Sequence, residues 1–135
     1  MNPDPTLEAF IAELDAAASA RDVERFLDLF VDGPDLAFAF AGQVMLDMGS
    51  IRAMHRASWS KLSGVKFTTT PRRVVTLSAD VVVLTASGRA ERIDVSGAVA
   101  TRPYAVTLVL TRREDGWRVL QAHESIPPPG PGSTR

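Results

Sequence analysis

Apolar residues recur through the first part of this chain at helical spacing and through its second half at the alternation of strands. Leu7, Phe10, Ile11, Leu14 and Ala18 follow the i, i+3, i+4 rhythm of an amphipathic helix, and Asp4-Pro5 suits its N-cap and first turn. Ala20-Arg21 breaks it. Asp22 then caps a second helix with Val23, Phe26, Leu27 and Phe30 on one face, ended by Asp32-Gly33-Pro34. So short a joint predicts a helical hairpin. Leu36, Phe38 and Phe40 alternate with small residues as a short strand, and Val44 to Leu46 can pair back across Ala41-Gly42-Gln43. A third helix is predicted from about Ser50 to Leu62, carrying Ile51, Met54, His55, Trp59 and Leu62 on one stripe, with Ser50 or Asp47 as cap.

From Val65 onward the pattern is strand. Pro71 interrupts Val65 to Leu77 and implies a bulge or an edge position. Val81 to about Arg92 follows the Ser78-Ala79-Asp80 turn, and Arg102-Pro103 predicts an irregular lead-in to the last ribbon. That ribbon, Tyr104 to Ser125, turns at Asp115-Gly116, a strong hairpin signal. A two-residue turn there opposes Glu114 to Trp117, Leu110 to Gln121 and Leu108 to His123. One face then carries Tyr104, Val106, Leu108, Leu110, Trp117, Val119, Gln121, His123 and Ser125. A three-residue loop pairing Arg113 with Trp117 is the alternative; the two-residue turn is preferred because it leaves a cleanly apolar face on the long strand. Pro and Gly from residue 127 onward cannot continue a ladder, so residues 1–126 form one domain and 127–135 a tail.

Segregated helices on a curved antiparallel sheet give an α+β class, with helices closing the sheet into a cone around an apolar cavity. At 135 residues and 45% hydrophobic content the chain can bury a real core. A net charge of −1 removes the electrostatic case for nucleic acid. No apolar run reaches the length of a membrane span, and the N-terminus shows no signal-peptide pattern, so no membrane partner is expected and a cytoplasmic location is the default. Cysteine is absent, which removes thiolate chemistry.

The helical-hairpin joint Arg21-Asp22-Val23-Glu24, the third-helix start Gly49-Ser50-Ile51-Arg52, and Glu114-Asp115-Gly116-Trp117-Arg118-Val119 followed by His123-Glu124-Ser125 resemble nuclear transport factor 2-like domains, in particular the SnoaL-like group of bacterial proteins. The resemblance spans roughly residues 6 to 126. It implies a cone-shaped fold, commonly dimeric through the outer sheet face. The group includes isomerases, dehydratases, epoxide hydrolases, polyketide cyclases and non-catalytic binding or assembly domains, so fold alone does not name a function.

Several residues are candidates for chemistry. His123, on the predicted pocket face, would serve as general acid or base, and Tyr104, the one tyrosine, as a carbonyl-polarising donor. Trp59, His55, Gln121, Leu108, Phe38 and Arg89 are expected around the pocket, Arg89 to meet a substrate carboxylate. Two histidines without cysteine make a poor metal set, and no metal or other cofactor is expected. Asp47, Glu91 and Asp94 are the only carboxylates near the predicted cavity, each at an element end, so no buried acidic pair is foreseen. Val82, Leu84, Ala86, Thr107, Val109, Leu120 and Ala122 are assigned to the outer face, predicting a homodimer through it. The leading expectation is a domain that binds a small apolar or carbonyl-containing molecule. The alternatives are a cofactor-independent isomerase, cyclase or dehydratase using His123, and an assembly module.

Overall fold

The computed structural model describes residues 5–128. The cap proposed at Asp4 and the tail from residue 129 lie outside them. Helix α1 (Pro5–Ser19) buries Leu7, Phe10, Ile11, Leu14 and Ala18, as its periodicity requires. Arg21 stops it in a left-handed conformation at φ 54°. The Asp22 carboxylate then accepts the Arg25 N–H at 3.1 Å and starts α2 (Val23–Leu27). This helix is shorter than its apolar stripe suggested. The backbone from Leu29 to Val31 is drawn into the sheet instead: Val31 N–H donates to the Val119 carbonyl and Val119 N–H to the Leu29 carbonyl, each at 2.8 Å. Strands β1 (Ala37–Phe40) and β2 (Gln43–Met45) form a small hairpin. Asp47, rather than Ser50, caps α3 (Met48–Trp59), accepting the Ser50 N–H at 2.7 Å.

Four long strands follow: β3 (Leu62–Ser78), β4 (Val81–Asp94), β5 (Val99–Arg113) and β6 (Gly116–Ser125). The sheet order is β2-β1-β6-β5-β4-β3, with β1 parallel to β6 and all other pairs antiparallel. Pro71 sits at a register shift in edge strand β3, where a missing N–H costs least. Arg102-Pro103 is no irregular lead-in: β5 runs straight through it, Pro103 pairing with Arg89 and Arg102 with Ala90. The helices cover one face of the sheet. Leu84, Leu110 and Val119 are fully buried there among Leu7, Phe10, Ile11 and Leu14, each contributing roughly 1.5–3 kcal/mol by burial.

The β5–β6 register decides what faces that core. The turn residues are Glu114 and Asp115, with Arg113 paired to Gly116 and Arg112 to Trp117, one position away from the predicted Asp-Gly turn. Gly116, at φ 116°, absorbs the tight reversal. Leu110 pairs with Val119 but Val109 pairs with Gln121, so Leu120 is the extra residue of a bulge. Beyond it Leu108 faces Ala122, Thr107 faces His123 and Val106 faces Glu124. A one-residue insertion reverses the parity of everything after it. Trp117 and Val119 therefore point inward as predicted, whereas Gln121, His123 and Ser125 turn outward and Ala122 and Glu124 turn in.

The outer face is corrected by the same logic. Val82, Leu84, Ala86 and Ala122 are buried in the core, not on the outside. They pair with, or stand beside, the inward Leu110, Leu108 and Val106. The outer side carries the exposed Thr85, Arg89, Glu91, Thr107 and His123 together with an apolar transverse row of Val75, Val83 and Val109. Four of the seven residues on which the dimer expectation rested thus face the core, while Thr107 and Val109 keep the outer parity assigned to them. Among the described residues, no helix is long and apolar enough to cross a membrane.

Candidate functional site

Between the helices and the inner sheet face lies a cavity of about 110 Å³. Its wall is mainly apolar: Ile11, Leu14 and Ala18 from α1, Phe26 and Phe30 near α2, His55 and Trp59 from α3, and Phe38, Phe67, Val106, Leu108, Val119 and Ala122 from the sheet. A second compartment of about 100 Å³ shares Phe38, His55, Trp59, Phe67, Tyr104 and Glu124 with the first and continues toward Arg92 and Arg102. The volumes suit small molecules, since an apolar void of similar size can hold a single aromatic ring.

The aromatic wall is continuous. The His55 ring lies 5.1 Å from Trp59 and 5.2 Å from both Phe26 and Phe38, centroid to centroid. Its Nδ1 is 2.8 Å from the Ile51 carbonyl, which accepts only if Nδ1 carries the proton. In the neutral ring Nε2 is then an acceptor. Burial lowers the His55 pKa against the opposing effect of that hydrogen bond, favouring the neutral ring.

Three polar groups are linked in a chain. Thr69 on β3, Gly88 on β4 and Tyr104 on β5 occupy one transverse row of the sheet. Gly88 is what lets the row close: a Cβ there would lie 2.0 Å from Tyr104 Cζ, so the phenol ring fills the place of a side chain. The ring reaches across the glycine and puts its hydroxyl 2.7 Å from Thr69 Oγ1. Asp15, on the buried side of α1, accepts the Thr69 N–H at 2.8 Å and is 2.6 Å from Thr69 Oγ1. With Asp15 ionised, Thr69 donates to the carboxylate and Tyr104 donates to Thr69. The Tyr104 oxygen then offers lone pairs, rather than a proton, to the cavity. Desolvation raises the Asp15 pKa, opposed by its two bonds from Thr69. Desolvation likewise pushes the Tyr104 phenol up to about 12.

Glu124 also lines both compartments. Among the described residues, no group donates a hydrogen bond to its carboxyl. It keeps some accessible surface, yet desolvation alone pushes its pKa up to about 7. A carboxyl that titrates near neutrality in an aromatic chamber can hold or release a proton where a ligand would sit.

The structure brings Tyr104, Trp59, His55, Leu108 and Phe38 together in the cavity wall. It does not bring His123, Gln121 or Arg89 there. His123 is exposed on the outer face opposite Thr107, because of the bulge at Leu120. Gln121, exposed for the same reason, donates from Nε2 to the Asp35 carbonyl at 3.2 Å. Arg89 lies on the outer parity of β4, exposed and 3.2 Å from Glu91. The expected lack of cavity carboxylates is also overturned, by Asp15 and Glu124. Asp15 left a trace in the sequence, standing four residues after Ile11 and three before Ala18, within the apolar stripe. Glu124 left a subtler one: the apolar positions of β6 step from Trp117 and Val119 to Ala122, an odd interval that marks a change of parity. Among the described residues, no three His, Asp or Glu side chains gather as a metal ion requires.

Comparisons with known proteins agree with this architecture. A ketosteroid isomerase-like protein from Erwinia carotovora atroseptica superposes with a TM-score of 0.77 at 16% identity, covering 92% of this chain and 95% of its own. A candidate dehydratase of the NTF2-like family from Streptomyces avermitilis gives 0.78 at 16% identity, covering 91% and 95%. An NTF2-like superfamily protein from Salmonella enterica gives 0.78 at 16% identity, covering 96% of each chain. Identities this low speak to the fold alone. No curated protein matches the sequence. The model of the SnoaL-like domain matches residues 7–129, nearly the whole chain, and with the fold just described this places the protein in the SnoaL-like domain family of the NTF2-like superfamily.

Proposed function

We propose that this chain binds a small, largely apolar molecule bearing a hydroxyl or carbonyl group, in the cavity between its helices and the inner sheet face. The observation that carries this reading is the pairing of an aromatic wall with two polar groups that still have bonding capacity, the Tyr104 oxygen and the Glu124 carboxyl. An apolar body satisfies the wall; a ligand hydroxyl can donate to the Tyr104 oxygen and accept from protonated Glu124, whereas a carbonyl accepts from protonated Glu124 alone. Calorimetric titration with 2-naphthol tests the proposal. Saturable binding is expected in the wild type and its loss in Ala122→Leu, which fills the chamber. Equal binding by both proteins would place the ligand elsewhere and defeat the proposal.

A second reading, proton transfer within such a ligand, is favoured by Glu124 specifically. A carboxyl with a pKa of about 7 is matched to taking a proton from carbon and returning it at neutral pH. An isomerase-like protein and a candidate dehydratase share the fold, and both activities named there move protons. On this reading Glu124, not His123, is the acid–base group, and Tyr104 orients the ligand oxygen. Glu124→Gln should then abolish turnover of any substrate found while leaving its binding within a few-fold; retained turnover would remove Glu124 from the chemistry.

A further inference from the structure

The second compartment has a charged end. On the inner parity of β4 and β5, Tyr104 pairs with Gly88, Arg102 with Ala90, and Arg92 with Ala100. These rows step outward from the cavity, each two residues from the last. At about 3.4 Å per residue, the Arg102 row lies ~7 Å from the Tyr104 row and the Arg92 row ~14 Å from it. Both arginines are half-buried and line the second compartment. Ala90, the row partner of Arg102 and two residues before Arg92 on β4, presents only a methyl group on that face and leaves room beside the two guanidinium stems, while the aromatic wall of Phe38, His55, Trp59 and Phe67 farther in suits a flat body.

We propose that the ligand is an amphipathic anion, a planar ring system with a carboxylate at one end held by Arg92 and Arg102 and an oxygen function at the other reaching Tyr104 and Glu124. This deepens the binding proposal above and rests on it. Guanidinium groups pair with carboxylates through planar, charge-assisted hydrogen bonds, and the half-buried setting strengthens them relative to open solvent. Arg89, the arginine that the strand pattern first suggested for this role, stands one residue from Arg102's row partner Ala90 and therefore faces the opposite side of the sheet. The span between the rows also sets a length: a single ring bridges poorly, whereas two fused rings with substituents at opposite ends can bridge the rows.

The test compares 6-hydroxy-2-naphthoate with its neutral counterpart 6-hydroxy-2-naphthamide, by calorimetry, on the full chain. The acid should bind at least about tenfold more tightly than the amide to the wild type, with added salt narrowing the gap. Replacing both arginines, Arg92→Gln with Arg102→Gln, should cut acid affinity to the level of the amide and leave the amide within twofold. Should the double variant fail to fold by circular dichroism, Arg92→Gln alone and the wild-type salt dependence carry the same comparison. Equal binding of acid and amide to the wild type overturns the charged-end proposal and leaves the cavity reading intact. Failure of both probes to bind a folded wild type overturns both.

Discussion

Glu124→Gln offers the most quantitative check on the site, through stability against pH. In the unfolded chain the Glu124 carboxyl titrates near its ordinary 4.5, and in the folded chain at about 7. Between those values the native state holds a proton that the unfolded state has released. Stability therefore falls as pH rises through this window. At about 1.4 kcal/mol per pH unit the gap amounts to roughly 3 kcal/mol, and the carboxyl's residual contact with water trims this to about 2 kcal/mol. His55 acts in the opposite sense, since its lowered pKa makes stability rise with pH as the unfolded imidazole loses its proton. Asp15, raised by burial, acts in the same sense as Glu124. Both are present in wild type and variant, so the difference between the two proteins isolates Glu124. Urea unfolding at intervals from pH 4.5 to 8.5 should show the wild type losing about 2 kcal/mol relative to Glu124→Gln, most of it between pH 5 and 7.5. A difference curve flat across that range would mean that Glu124 titrates as an ordinary surface carboxyl, and the inward register of β6 beyond Leu120 would be wrong.

The remaining predictions address the supports and the exterior. Gly88→Ala forces Tyr104 off its seat and should cost about 1–3 kcal/mol by overpacking; thermal unfolding measures it, and 2-naphthol binding should weaken in parallel. Tyr104→Phe removes the bond to Thr69 while keeping the ring, and should cost about 1 kcal/mol in urea unfolding because Thr69 retains Asp15. His123→Ala should leave stability within about 0.5 kcal/mol and ligand affinity unchanged, as befits an exposed outer-face residue; a large loss in calorimetry would return His123 to the site. Leu110→Ala, at a fully buried position, should cost about 2–5 kcal/mol in the same unfolding assay.

Most of the fold is legible in the sequence because it is written in periodicity. The stripe from Leu7 to Ala18, the Asp22 cap and the Trp59–His55 pair on α3 lie where helical spacing puts them. Strand interiors and edges were also readable, as at Pro71. What failed was non-local. The truncation of α2 depends on pairing between Leu29–Val31 and Val119, nearly ninety residues away in the chain, and local apolar spacing carries no trace of it. The site turned on one residue. The predicted register is right in orientation up to Val119 and reversed after the bulge at Leu120, so the imidazole and carboxyl of adjacent residues exchange faces. Beyond the bulge the pairing matches the three-residue-loop alternative, with Val109 opposite Gln121. The parity of β4 went wrong for a related reason: Val81 to Leu84 is apolar at every position, so alternation could not choose a face there.

The most direct measurement exploits that exchange of neighbours. Titrating isotopically labelled protein with 2-naphthol, and following side-chain resonances by NMR, should perturb the Glu124 carboxyl carbon and the Trp59 indole while the His123 imidazole stays unmoved. Saturable shifts at His123 with Glu124 silent would contradict an inward Glu124 and an internal ligand cavity together.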